Sequence, residues 1–130
     1  MQLRATLWLK QNEHMEINQI TSLILKCAFK VHTELGPGLL ESAYQECLFY
    51  ELTRSDLLVQ KQKSLPLIYH EINMDAGYRV DLLVENKVVI EIKAIESFTD
   101  VHFAQILTYL KLSKCKIGLL INFNVASLKN

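Results

Sequence analysis

The stretch YRVDLLVENKVVIEIKAIE, residues 78–96, consists mostly of Val, Ile and Leu, yet carries Asp81, Glu91 and Lys93 among them. Two β-rich segments, 78–84 and 88–95, flank Glu85-Asn86-Lys87, so the stretch reads as a hairpin. Strand side chains alternate between faces. Glu91 and Lys93 therefore share one face, while Val88, Ile90, Ile92 and Ala94 take the other, packed one. Register decides whether Asp81 joins the charged pair. If Val84 opposes Val88 around a three-residue loop, Asp81 falls opposite Glu91 on the same face. A regular two-residue loop sends Asp81 to the opposite face. A shared carboxylate site thus requires an odd loop or a β-bulge, and that is the register we expect.

In that register two carboxylates lie side by side with an ammonium next to them. Like charges at close range destabilise each other unless a cation lies between them. Hard oxygen ligands suit Mg²⁺ or Mn²⁺. Such an ion would offset the repulsion, orient a phosphate and acidify a water molecule. Lys93 could then hold or help deprotonate the attacking water and counter developing negative charge. The structural alternative is an ion pair, with Lys93 neutralising Glu91 or Asp81 on a solvated sheet face.

Outward from the hairpin, apolar residues at 17, 20, 24, 27, 28, 31 and 35 have helical spacing with one buried face. Gly36-Pro37-Gly38 stops that helix. A second helix begins near Leu39, with Leu40, Ala43, Tyr44, Cys47, Leu48 and Leu52 as its apolar stripe. Glu41 stands in its first turn, where the helix dipole favours a carboxylate. Segments 58–62 and 65–69 are short strands. Thr99 is a candidate N-cap for a helix over about 100–112. The apolar run Ile117 to Phe123 reads as a last, buried strand. On that helix Gln105 and Tyr109 share one face. His102 precedes Gln105 by one turn and either lines the same cleft or is an exposed helix residue. Residues 1–14 fit no clear pattern and read as a loose arm or a short edge strand, ahead of a single domain over 15–130.

The order is helix, helix, several strands, helix, strand: an α/β fold with a central mixed sheet flanked by helices. Fourteen basic residues balance fourteen acidic ones, so any positive surface for a polyanion must be local. Lys111, Lys114 and Lys116 cluster after the third helix, and Lys61 and Lys63 lie on an early strand. These are candidate phosphate contacts, or simply a solvated face. The three cysteines form no CxxC pair, which fits a reducing, cytoplasmic setting. No apolar run approaches the length of a membrane span.

The residues in this order resemble the PD-(D/E)XK nuclease superfamily: Glu41 on an early helix, Asp81 on a strand, Glu91-Ile92-Lys93 on the next, and Gln105-Ile-Leu-Thr-Tyr109 on the following helix. The Q-x-x-x-Y element is similar to the RecB-like and λ-exonuclease-like branches. More closely, GLLESAY (Gly38 to Tyr44), HTELGPGLLESAYQECL and AQILTYLKLSKCKIGLLINFNV resemble the GxxExxY protein family, over roughly residues 15 to 128. Val80 stands where the superfamily often has Pro. Residues 1–14 look like an extension before a family-typical start, and Met15 is a candidate initiator.

The resemblance implies a restriction-endonuclease-like α-β-β-β-α-β core. It implies that Asp81 and Glu91 ligate Mg²⁺ or Mn²⁺ with the Ile92 backbone carbonyl, and that Lys93 serves the water nucleophile. Glu41 would bind or orient a second metal or its water shell, and Gln105 and Tyr109 would position Lys93 or a substrate phosphate. The implied function is metal-dependent hydrolysis of phosphodiester bonds in DNA, or in RNA. The alternative is an inactive nuclease-fold module that binds nucleic acid or a protein partner. A second copy of the chain is a further candidate partner.

Overall fold

The computed structural model describes residues 2–75 and 77–129, with side chains described from Glu16 onward. Helix α1 (Gln2–Leu35) ends where Gly36 adopts φ +67°, a left-handed backbone that glycine takes without steric cost. Its helical backbone includes positions 2–14, so helix takes the place of the edge strand considered there. Helix α2 (Glu41–Arg54) follows the Gly36-Pro37-Gly38 turn and buries Tyr44, Leu48 and Leu52. Tyr44 fastens that turn. Its hydroxyl donates to the Gly36 carbonyl at 2.6 Å and accepts from the Leu39 N–H at 3.1 Å, while its ring stacks on Phe123 at 4.6 Å.

Strands β1 (Val59–Ser64), β4 (Arg79–Val84), β5 (Val88–Lys93) and β6 (Ile117–Asn122) form one sheet in the order β1-β4-β5-β6. β2 (Leu67–Tyr69) and β3 (Ile72–Met74) form a separate small hairpin between β1 and β4. β1, β4 and β5 are antiparallel neighbours, and β6 runs parallel to β5. The parallel step needs a crossover, which helix α3 (Asp100–Ser113) supplies. Apart from the small hairpin, this is the α-β-β-β-α-β arrangement with a central mixed sheet flanked by helices.

The sheet is packed on both faces. Leu82, Val84, Val88, Ile90 and Ile92 meet Ile20, Ile24 and Val31 of α1 and Leu48 and Leu52 of α2. Each such side chain removed from water contributes roughly 1.5–3 kcal/mol. On the other face Leu83 and Val89 join Leu65, Val80 and Tyr109. Helix α3 lies close on β6 because residue 118 is glycine. A Cβ there would stand 3.0 Å from Ile106 and 3.1 Å from Leu110.

The deciding register is the odd one. Val84 pairs with Val88, Leu83 with Val89 and Leu82 with Ile90. Glu85 and Asn86 take φ +53° and +54°, and the Lys87 N–H closes the turn onto the Val84 carbonyl at 2.9 Å. This positive-φ pair gives the turn the twist that joins antiparallel strands. The paired register ends at Leu82 and Ile90, and just beyond it Asp81 and Glu91 meet through a side chain, the Asp81 N–H donating to Glu91 Oε1.

Candidate active site

The β4–β5 ladder stops at Leu82↔Ile90. One step further, carboxylates take over its N–H groups. The Asp81 N–H donates to Glu91 Oε1 at 3.0 Å, and the Ile92 N–H donates to Asp81 Oδ2 at 2.8 Å. The two acidic side chains are thus held against each other by each other's strands. Lys93, two residues on and half-buried, brings its ammonium to 3.9 Å from Glu91 Oε2. Glu91 is 3% exposed. The Lys93–Glu91 ion pair offered as the alternative therefore forms, but with Glu91 buried rather than on a solvated face.

Burial governs the electrostatics. It pushes the Glu91 carboxyl up to about 7, with the neighbouring Asp81 charge adding to the shift and the Asp81 N–H and Lys93 opposing it. Asp81 is also raised by burial, against the Ile92 N–H, the Gln62 amide and Lys93. A carboxylate pair with one member buried and the other half-buried, and one ammonium at the edge, is short of positive charge. Two hard oxygen donors of this kind fit Mg²⁺ or Mn²⁺, which commonly bind through one or two carboxylates and keep several waters. Each carboxylate oxygen that accepts one hydrogen bond retains a further lone pair. Among the described residues no group of three or more His, Cys, Asp or Glu side chains is gathered to hold a metal by itself.

The other predicted residues take up different stations. Glu41, at the start of α2, accepts the Ala94 N–H at 3.1 Å, just past Lys93, and its charge raises both Asp81 and Glu91. Gln105 Nε2 donates to the Tyr109 hydroxyl at 3.0 Å. Tyr109 is buried, and burial followed by the Glu91 charge raises its hydroxyl above the ordinary range. The α3 pair thus lies on the carboxylates' own face of the sheet, with Tyr109 packed beside Val89 and Leu83. His102 caps its own helix instead, its Nδ1 accepting the Thr99 N–H at 2.9 Å.

The lysines do not converge. Lys61 is bonded to Glu46 at 3.0 Å and sits over the Phe49 ring, while Lys63 is exposed two strand positions along. Lys111 is in the last turn of α3. Lys114 and Lys116 border a cavity of about 250 Å³ with Asn86 and Lys87. Val88 pairs with Ile117 and Lys93 with Asn122. That cavity is therefore toward the opposite end of β5, with Val88 roughly 10 Å along the strand from Glu91 at ~3.3 Å per residue.

Two contributors escaped the sequence reading. Gln62 Nε2 donates to Asp81 Oδ1 at 3.1 Å. Asn122 accepts the Ile95 N–H at 3.1 Å and donates to the Ile95 carbonyl at 2.8 Å, pinning the chain beyond Lys93 to β6. The usable signal was Asn122, closing the apolar run IGLLI; Gln62, inside the polar strand VQKQKS, carried none.

No curated protein and no solved structure gives a significant match to the chain. A family model does: that of the PD-(D/E)XK nuclease superfamily, over residues 18–130. The match takes in α1 from residue 18 onward, helices α2 and α3, every strand and the carboxylate cluster, and the chain belongs to the PD-(D/E)XK nuclease superfamily.

Proposed function

We propose that the chain is a metal-dependent nuclease that hydrolyses phosphodiester bonds, with DNA as the first substrate to test and RNA the second. The observation that carries the proposal is the interlocked Asp81–Glu91 pair, Glu91 buried and Asp81 half-buried, with Lys93 at its edge, electrostatically incomplete without a cation. Asp81 and Glu91, with the Ile92 carbonyl, would hold Mg²⁺ or Mn²⁺, and Glu41 would serve a second ion or its water shell. When bound, such an ion polarises a phosphate and makes water a readier nucleophile. Lys93 orients the attacking water and counters the charge that builds on the phosphate oxygens. Tyr109, held by Gln105, positions Lys93 or a phosphate oxygen.

The stretch Gly38–Tyr44 and the Gln105–Tyr109 pair support a place in the GxxExxY group, near the RecB-like branch. Residues 15–130 are then the nuclease domain, with 1–14 ahead of it. The free thiols of Cys27, Cys47 and Cys115 fit a cytoplasmic setting. Among the described residues no helix is long and apolar enough to cross a membrane.

Pure protein incubated with single- and double-stranded DNA and RNA, with Mg²⁺ or Mn²⁺, tests the proposal beside Lys93→Ala. Metal-dependent cleavage that the variant lacks supports it. Equal cleavage by both, or none by either, counts against it. One observation favours the second reading, an inactive binding module: both Asp81 oxygens and Glu91 Oε1 already accept hydrogen bonds from within the chain. Calorimetry with Mn²⁺ separates the two, since a self-contained network takes up no ion.

A further inference from the structure

β1 breaks its pairing at a single residue. Lys61 pairs with Leu82 and Lys63 with Val80, but the ladder skips Gln62, which lies across from Asp81. Gln62 has φ +49°. Left-handed backbone at a non-glycine residue costs roughly 1–2 kcal/mol and persists where surrounding contacts hold it. Those contacts are visible here. Gln62 Nε2 donates to Asp81 Oδ1 at 3.1 Å and to Gln45 Oε1 at 2.7 Å. Gln45 lies on α2, one helical turn after Glu41.

Asp81 therefore has one tether per oxygen: the Ile92 N–H on Oδ2 and the Gln62 amide on Oδ1. Two tethers on two oxygens fix the plane of a carboxylate, where one would leave it free to swing. Resting on the proposed function above, we infer that Gln62 is a positioning residue. It holds the Asp81 carboxylate in its ion-binding orientation, and Gln45 holds Gln62, so the helix bearing Glu41 and the strand bearing Asp81 are set relative to each other by two glutamines. Neither touches the reacting atoms. The plainer role for a kink at this position is protection of an exposed sheet edge against further pairing, since β1 is an outer strand. The two roles differ in what they require of the amide.

Gln62→Gly keeps the kink without strain and deletes the amide, and Gln62→Asn tolerates the same backbone with a side chain too short to bridge. Calorimetric titration with Mn²⁺ alone, beside thermal melts in EDTA, reads the outcome. The expected result is Mn²⁺ affinity lowered roughly 10–100-fold in both variants, the size of one lost hydrogen bond to a charged group, with melting temperatures near wild type. Gln45→Ala should lower it less. Wild-type protein that binds Mn²⁺ while both Gln62 variants bind it equally well overturns the tether and leaves edge protection. Wild-type protein that takes up no Mn²⁺ overturns the proposed function itself, and this role with it.

Discussion

The two ends of strand β5 are made from similar residues and finished in opposite ways. At the Val88 end the ladder is complete, the turn closes on itself, and the nearby charge is balanced where it stands: Lys87 meets Glu16 at 2.8 Å. At the Lys93 end the pairing with β4 is abandoned three residues early. Carboxylates occupy the N–H groups, and burial works against their ionised forms. The first end satisfies its backbone with backbone. The second does so with side chains that would be easier to hold uncharged. A chain selected for stability alone has no reason to build the second end, and the local conflict there is what supports the proposed site.

The comparison breaks most sharply on activity. Lys93→Ala should lower metal-dependent cleavage by roughly 10²–10⁴-fold, the range for a lost acid–base group. Lys116→Ala, at the other end, should stay within about twofold, as exposed substitutions do. Comparable losses from both would mean that the substrate spans the whole strand and the ends are not functionally distinct.

Stability should separate two adjacent residues of β5 in opposite directions. Ile90→Ala, in the apolar layer, should cost ~2–5 kcal/mol by thermal or urea unfolding. Glu91→Gln should instead stabilise the metal-free protein at pH 8. The Glu91 carboxyl is raised from its ordinary 4.5 to about 7. Its folded-state proton therefore contributes stability in full below pH 4.5, and that contribution is lost as pH rises through 7. Metal-free wild type should lose on the order of 3 kcal/mol across that window, and Glu91→Gln should not. Parallel pH–stability curves for the two proteins would remove the electrostatic argument.

Ion uptake sharpens the contrast further. At pH 6 Glu91 is largely protonated, so Mn²⁺ binding should release a proton. Its apparent heat should then differ between buffers of high and low ionisation enthalpy, and the difference should shrink by pH 8.5. Identical heats in both buffers at pH 6 would place the ion elsewhere. The smallest effect belongs to the quiet end: Asn86→Gly at φ +54° should change stability by no more than ~1 kcal/mol and leave Mn²⁺ affinity alone. A change in affinity would couple the turn to the site.

Much of this was legible before any coordinates. The three-residue loop follows from requiring Asp81 and Glu91 to share a face, and the helical stretches announce themselves by spacing and by Gly36. The small hairpin was misread. Residues 65–69 look like one strand, but the chain turns at His70, with φ +53° and no glycine or asparagine to announce it, and β3 follows. The lysines were grouped by nearness in sequence, whereas β6 runs parallel to β5 and carries Lys114 and Lys116 to the far end. Gln62 was invisible because a kink in a strand leaves no mark on apolar alternation. Glu91 could not be recognised as buried from one strand alone, since the cover on its face is α3, which lies further along the chain.

The bare backbone at Gly118 gives α3 a fixed seat on β6, with Ile106 and Leu110 resting where a methyl group would otherwise be. The same helix carries Gln105 and Tyr109, so the depth of that seat sets how near the phenol comes to Glu91. An alanine at 118 would act as a shim, raising the helix and drawing the tyrosine back from the carboxylates. The spacing across the site is thus gauged by an absent side chain on a neighbouring strand.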